Sequence, residues 1–229
     1  MRSIIRTDPV VRDVAALCAA AAVVGVSFGA IATAAGFPLS KIIVMSSLIY
    51  AGGAQFLAVG LTGAGATMLA IVAAGLLLNA RHLPFGLAIG NDVLGDTRTA
   101  RLVGSHLMTD ETVAFTIAQD DPVRRRRVYW MTGIALFLTW NVSSTAGAVV
   151  GSALGDPDTF GIDAAFPAAL LALTLPSLKN KVSVRVAVAG ALLALVTTPF
   201  LPAGLPVLIA LFSLAFALPV PKRKKEAGK

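Results

Sequence analysis

Five stretches of this chain carry no Asp, Glu, Lys or Arg: Val14–Ser40, Ile42–Ala80, Val128–Gly155, Ala164–Leu178 and Val186–Pro221. A helix needs about 20 apolar residues to cross the hydrocarbon core of a bilayer, where only helices and closed barrels satisfy the backbone. These runs are continuous rather than alternating, so they predict membrane helices. Composition agrees, with 56% hydrophobic and 14% charged residues and a mean hydropathy of +0.81. Soluble domains average about 25% charged residues. A chain so poor in charge cannot coat a soluble globule, and the pI of about 10.1 is therefore no sign of a nucleic-acid partner. Cys18 is the sole cysteine, lies inside an apolar run and reads as a packing residue.

The second and fifth runs exceed one span each, and the Gly- and Pro-rich segments 60–65 and 199–206 divide them. Seven spans result, at 14–35, 39–60, 66–85, 128–152, 161–178, 182–199 and 204–220. An eighth segment, 103–118, contains Asp110 and Glu111, and a central Asp costs about 2.5–3.5 kcal/mol on insertion scales. The Lys/Arg bias argues for it nonetheless. Arg2, Arg6 and Arg12, the block Arg124–Arg127, the group Lys179, Lys181 and Arg185, and the basic tail 221–229 all read as cytoplasmic. That requires an even number of crossings before Arg127. The expected fold is an all-α polytopic membrane protein of about eight (seven to eight) transmembrane helices, some broken by Gly or Pro. It forms one domain over 1–229 with both termini cytoplasmic, and the first run reads as a retained span, not a cleaved signal. The alternative makes an earlier segment re-entrant and leaves 103–118 aside. A faint duplication, 14–118 against 128–220, is suggested by the likeness of Ile71–Phe85 to Val186–Phe200 and of Gly29–Gly36 to Gly147–Gly155.

Three polar groupings interrupt the apolar half. In Tyr50-Ala-Gly52-Gly53-Ala-Gln55-Phe56, adjacent glycines either break a helix around a cavity or let two helices approach closely. Gln55 adds an amide able to read a zwitterion. In Asn79-Ala-Arg81-His82-Leu-Pro84-Phe85-Gly86, Pro84 predicts unwinding at Leu83. Arg81 and His82 there either snorkel to an interface or meet a substrate carboxylate and protons. In His106-Leu-Met-Thr109-Asp110-Glu111-Thr112, the acidic pair either lies at the membrane edge or faces inward as counter-ion to Arg81. His106 and Asp110 share a helix face, but one such pair is too weak a pattern for a metal. No nucleophile elbow, zinc-protease, Walker or dinucleotide motif occurs, so neither cofactor nor metal is expected and the chain reads as one that moves a solute.

These residues carry a resemblance. Ala-Gly-Gly-Ala-Gln-Phe at 51–56, Leu-Asn-Ala-Arg-His-Leu-Pro-Phe-Gly at 78–86 and Met-Thr-Asp-Glu-Thr at 108–112 resemble the AzlC family, the large subunit of branched-chain amino-acid exporters. The resemblance implies export of valine, leucine and isoleucine, with methionine a further candidate, across the cytoplasmic (inner) membrane. It also implies a separate small hydrophobic partner of the AzlD type. Substrate binding or coupling then falls to Tyr50, Gly52, Gly53, Gln55, Asn79, Arg81, His82, Asp110 and Glu111. Two other readings remain open from the residues: an intramembrane enzyme using the His, Asp and Glu side chains, or an assembly subunit with no route of its own.

Overall fold

The computed structural model describes residues 8–153, 171, 174–175 and 178–217, and among them every regular element is a helix. In chain order these are α1 (Pro9–Ala34), α2 (Leu39–Val44) running into a π-helical turn (Met45–Ile49), α3 (Gly52–Gly63), α4 (Met68–Asn79), α5 (His82–Ile89), α6 (Asn91–Leu94), α7 (Arg98–His106), α8 (Asp110–Ile117), α9 (Pro122–Ala153), α10 (Lys181–Thr197) and α11 (Leu205–Ala210), which continues as a 3-10 turn (Leu211–Ala217). The expected span 161–178 lies almost wholly, and the basic tail 221–229 wholly, outside the described residues.

The frame is the pair α1 and α9. Each begins behind an Asp-Pro: the Asp8 carboxylate accepts from the Val10 N–H (3.1 Å), and that of Asp121 from the Arg124 N–H (2.7 Å). An acceptor at the cap and a proline at the first helical position both suit a helix start. At the same end Arg124 pairs with Asp8 (3.0 Å). Further along, Gly25 meets Ser143, Gly29 meets Ser144 and Ala148, Gly147 meets Val26, and Gly151 meets Ala30. The partners advance together, so the two helices run parallel. A Cβ added at Gly29 would lie 2.0 Å from the Ser144 carbonyl oxygen, and one at Gly147 2.1 Å from that of Val26. Small residues that let backbones touch drive helix association where no hydrophobic effect operates. These glycines thus serve contact within the chain.

Between these helices the chain makes two hairpins that enter from opposite ends of the frame. The first runs from α2 to α3. Ser46 and Ser47 bond to Ser144 and Asn141 (3.0 and 2.9 Å), so the chain descends along α9. After Tyr50 and Ala51 it turns back: Gln55 reaches Ser46 (3.3 Å), and Phe56 packs edge-on against Phe28 (5.3 Å). The second hairpin is α7–α8. Gly95 lies by Arg126, Tyr129 donates to the Gly104 carbonyl (2.6 Å), Leu107 and Thr112 both meet Gly133, and Arg124 donates to Gln119 (2.7 Å). Both ends of this hairpin therefore sit at the Arg124 end of α9.

The expected single helix crossing at 103–118 is corrected accordingly: helices of nine and eight residues rise only about 12–14 Å each, and the chain reverses between them. The turn is set by a reciprocal cap, in which the Thr109 hydroxyl accepts from the Thr112 N–H (3.2 Å) and the Thr112 hydroxyl from the Thr109 N–H (2.7 Å). The segment 39–60 likewise turns back at mid-length and is no single crossing helix.

Among the described residues three stretches are long and apolar enough to span a bilayer: Pro9–Ala34, Met68–Ile89 and Pro122–Ala153. The middle one is α4 with α5, lying antiparallel to α3, with Gly53 opposite Leu78 and Arg81. Its break falls at Ala80 and Arg81, not at Leu83. Pro84 occupies the first turn of α5, where a missing N–H leaves no intrahelical bond unmade. Two of these three stretches, Pro9–Ala34 and Met68–Ile89, precede Arg127, an even number as the basic residues require. Beyond α9, the α10–α11 pair packs Gly190 on Ser213 and sets Gly204 against Ala66 and Ala70, at the turn between α3 and α4.

Candidate functional site

The three interruptions meet. Tyr50 to Gly53, Arg81 with His82, and Thr109 to Glu111 line one cavity of about 340 Å³, closed on its other side by Leu17, Ala20, Ala21 and Val24 of α1 and Leu136 and Trp140 of α9. It lies near mid-length of both frame helices. Cavities of this size are typical of sites for small organic solutes.

Each break is built locally. The π turn ends at Tyr50, the one non-glycine residue with positive φ among the described residues (φ 41°, ψ 50°). The left-handed conformation costs an ordinary residue about 1–2 kcal/mol. Burial of the ring against Phe137 (5.0 Å) and His106 (5.9 Å) holds it there. α3 then starts with Gly52 and Gly53, and no side chain caps it. Its first N–H groups have no intrahelical acceptor and carry the positive end of the helix dipole. α5 also starts without a side-chain cap, at Arg81. α8 is capped by Thr109 and places Asp110 and Glu111 in its first turn, where carboxylates are favoured.

Across the cavity Arg81 Nε lies 3.2 Å from Asp110 Oδ1, both side chains being partly exposed to the open space. A Cβ on Gly53 would stand 3.9 Å from Arg81 Nη2, so the guanidinium lies against the start of α3. Among the described residues Glu111 makes no ion pair or hydrogen bond. His82 Nδ1 is 2.9 Å from the Asn79 carbonyl oxygen, which can only accept; the proton is therefore on Nδ1. Behind the site, His106 Nε2 donates to the Ser47 carbonyl (2.8 Å) and joins the tips of the two hairpins.

Of the residues expected from sequence, Tyr50, Gly52, Gly53, Arg81, His82, Asp110 and Glu111 line the cavity together. Gln55 and Asn79 do not. Gln55 is fully buried, accepting from the Trp140 indole N–H (2.9 Å) and donating to Ser46 (3.3 Å). Asn79 positions His82 through its backbone carbonyl, and its own Oδ1 is buried with no donor among the described residues. The apolar wall was missed. The glycines of α1 and α9 signal where those helices meet, and so by subtraction which faces are free for a cavity. No cluster of three metal-ligating side chains occurs among the described residues.

The match to the AzlC family model, described as "AzlC protein", covers residues 16–154. That stretch runs from within α1 to the end of α9 and holds the whole cavity wall. Similar curated proteins are an uncharacterized membrane protein of Helicobacter pylori strain 26695, 28% identical over 204 residues (88% of this chain, 89% of that one), and its counterpart in strain J99, 29% identical over 196 residues (85% of each). Inner membrane protein YgaZ of Escherichia coli K12 is 29% identical over 183 residues, 74% of this chain and 73% of its own length. No solved structure matches the chain.

Proposed function

The chain belongs to the AzlC family, and from that premise we propose that it exports branched-chain amino acids through the cavity between the three helix breaks. Valine, leucine and isoleucine are the substrates, with methionine a further candidate. The protein acts as the large subunit of a two-component exporter in the cytoplasmic membrane, beside a small AzlD-type subunit. The Arg124 end faces the cytoplasm, because Arg98, Arg101 and Arg124–Arg127 gather there while Lys41 lies by the opposite end.

One observation carries the reading: the cavity is two-faced. Its charged side offers Arg81, Asp110, Glu111 and the uncapped start of α3, and its other side offers Leu17, Ala20, Ala21, Val24, Leu136 and Trp140. A zwitterion with an aliphatic side chain fits that division. Its carboxylate pairs with Arg81 and the α3 N–H groups, and its ammonium group with Glu111. Arg81 is already held by Asp110, so substrate competes for it. With no nucleotide-binding motif in the chain, the proton-motive force is the driving force for this export. The test is counterflow of labelled leucine in proteoliposomes, with and without the small subunit, at set pH gradients. Leucine-specific exchange supports the proposal, and its absence in both preparations rejects it.

A further inference from the structure

Gln55 is a large polar side chain buried completely inside an apolar bundle, and the cavity does not include it. Both ends of its amide are engaged: Oε1 accepts from the Trp140 N–H at 2.9 Å and Nε2 donates to Ser46 Oγ at 3.3 Å. Ser144 Oγ lies 3.0 Å from Ser46 Oγ and 2.6 Å from the Trp140 carbonyl oxygen, which ties the network back to the backbone of the same tryptophan. The indole is also stacked on Phe28 (5.8 Å between rings, 24° between planes), and a Cβ on Gly52 would stand 2.9 Å from its Cη2. Three contacts thus fix the ring, and what remains of it lines the apolar side of the cavity.

Resting on the export reading, we propose that Gln55 is a positioning residue that sets the substrate side-chain size the cavity accepts, acting through Trp140. An indole N–H can only donate, and once buried it needs an acceptor. Without Gln55 the acceptors open to the indole border the cavity, the Asp110 and Glu111 carboxylates, His82 and the Tyr50 and Thr109 hydroxyls among them, and a ring turned toward them narrows the space for the substrate side chain. Removing the indole altogether, as in Trp140→Phe, widens that space. The two changes therefore move selectivity in opposite directions, which a general loss of structure does not do.

The experiment measures competition by alanine, valine, leucine and phenylalanine against labelled leucine counterflow, for the full chain with its small subunit. Gln55→Met is expected to lower the preference for leucine over alanine roughly tenfold, the worth of about one methylene in an apolar pocket. Trp140→Phe is expected to raise the share taken by phenylalanine. The double variant should match Trp140→Phe alone, because Gln55 then has no indole to hold. Gln55→Glu, which keeps the acceptor, should restore the wild-type ratios at least in part. Equal loss for every substrate in Gln55→Met, or effects that simply add in the double variant, overturns the assignment while leaving the export reading intact. Absence of flux in the wild type overturns the export reading and the size-selection role with it.

Discussion

Arg81 and Asp110 belong to two different helix breaks and meet at 3.2 Å between Nε and Oδ1. Neither residue lies within a continuous membrane helix: one ends the turn after α4 and the other opens α8. Both are thereby able to present charge at mid-length of the frame beside a cavity, the setting in which irregular backbone is tolerated within a membrane.

Arg81→Gln should lower leucine export by roughly 10- to 100-fold, since a charge-assisted hydrogen bond is worth about 1.5–3 kcal/mol. The protein should still accumulate in the membrane. Arg81→Lys should recover only part of the flux, because an ammonium lacks the planar fork that grips a carboxylate. Initial rates in proteoliposomes, normalised to protein, decide it; near-normal flux in Arg81→Gln would move the site away from this pair.

The hairpins have a topological signature. In a background lacking Cys18, cysteines at Asp96 and at Gln119 should react with an impermeant thiol reagent from the same side of the membrane, because the hairpin enters with α7 and leaves with α8 there. Cysteines at Ser40 and Ala64 should react from the other side. Opposite sidedness for positions 96 and 119 would restore a full crossing.

Packing of α1 on α9 leaves no room for a side chain at Gly29, whereas nothing lies within 4 Å of a Cβ on Gly75. Gly29→Leu should cost at least about 1–3 kcal/mol, the usual penalty of overpacking, and Gly75→Leu should be tolerated. Thermal aggregation midpoints of the two variants in detergent compare them directly.

Uphill efflux from leucine-loaded vesicles should collapse on addition of a protonophore if the proton-motive force drives export. Sustained uphill efflux with every ion gradient dissipated would reject that coupling.

The long helices were legible because an apolar run of 20 residues has few alternatives in a membrane; α1, α9 and α10 sit close to where hydropathy puts them. The breaks were legible in kind and shifted in place. Gly52 and Gly53 marked the first, but the chain turns two residues earlier, at Tyr50, because burial of its ring outweighs the left-handed strain. Pro84 marked the second, yet proline suits a helix start, so the break precedes it. Residues 103–118 were read as a crossing from the parity of the basic residues, which is served equally when 39–60 also turns back and 103–118 forms a hairpin. The reciprocal Thr109–Thr112 cap is the local clue that separates the two arrangements. The apolar wall was not legible at all: Ala20, Ala21 and Trp140 resemble any lipid-facing residues until the pairing of α1 with α9 is known.

That pairing has a mechanical consequence. With the Gly29 and Gly147 backbones in direct contact with the facing helix, α1 and α9 cannot slide past one another by even one residue without driving a side chain into a carbonyl. They behave as a single stiff post. On the export reading, any rearrangement that opens the cavity first to one face and then to the other falls to the two short hairpins, which are tied to the post by apolar packing and by hydroxyl and amide bonds such as Ser46–Ser144, Ser47–Asn141 and Tyr129–Gly104.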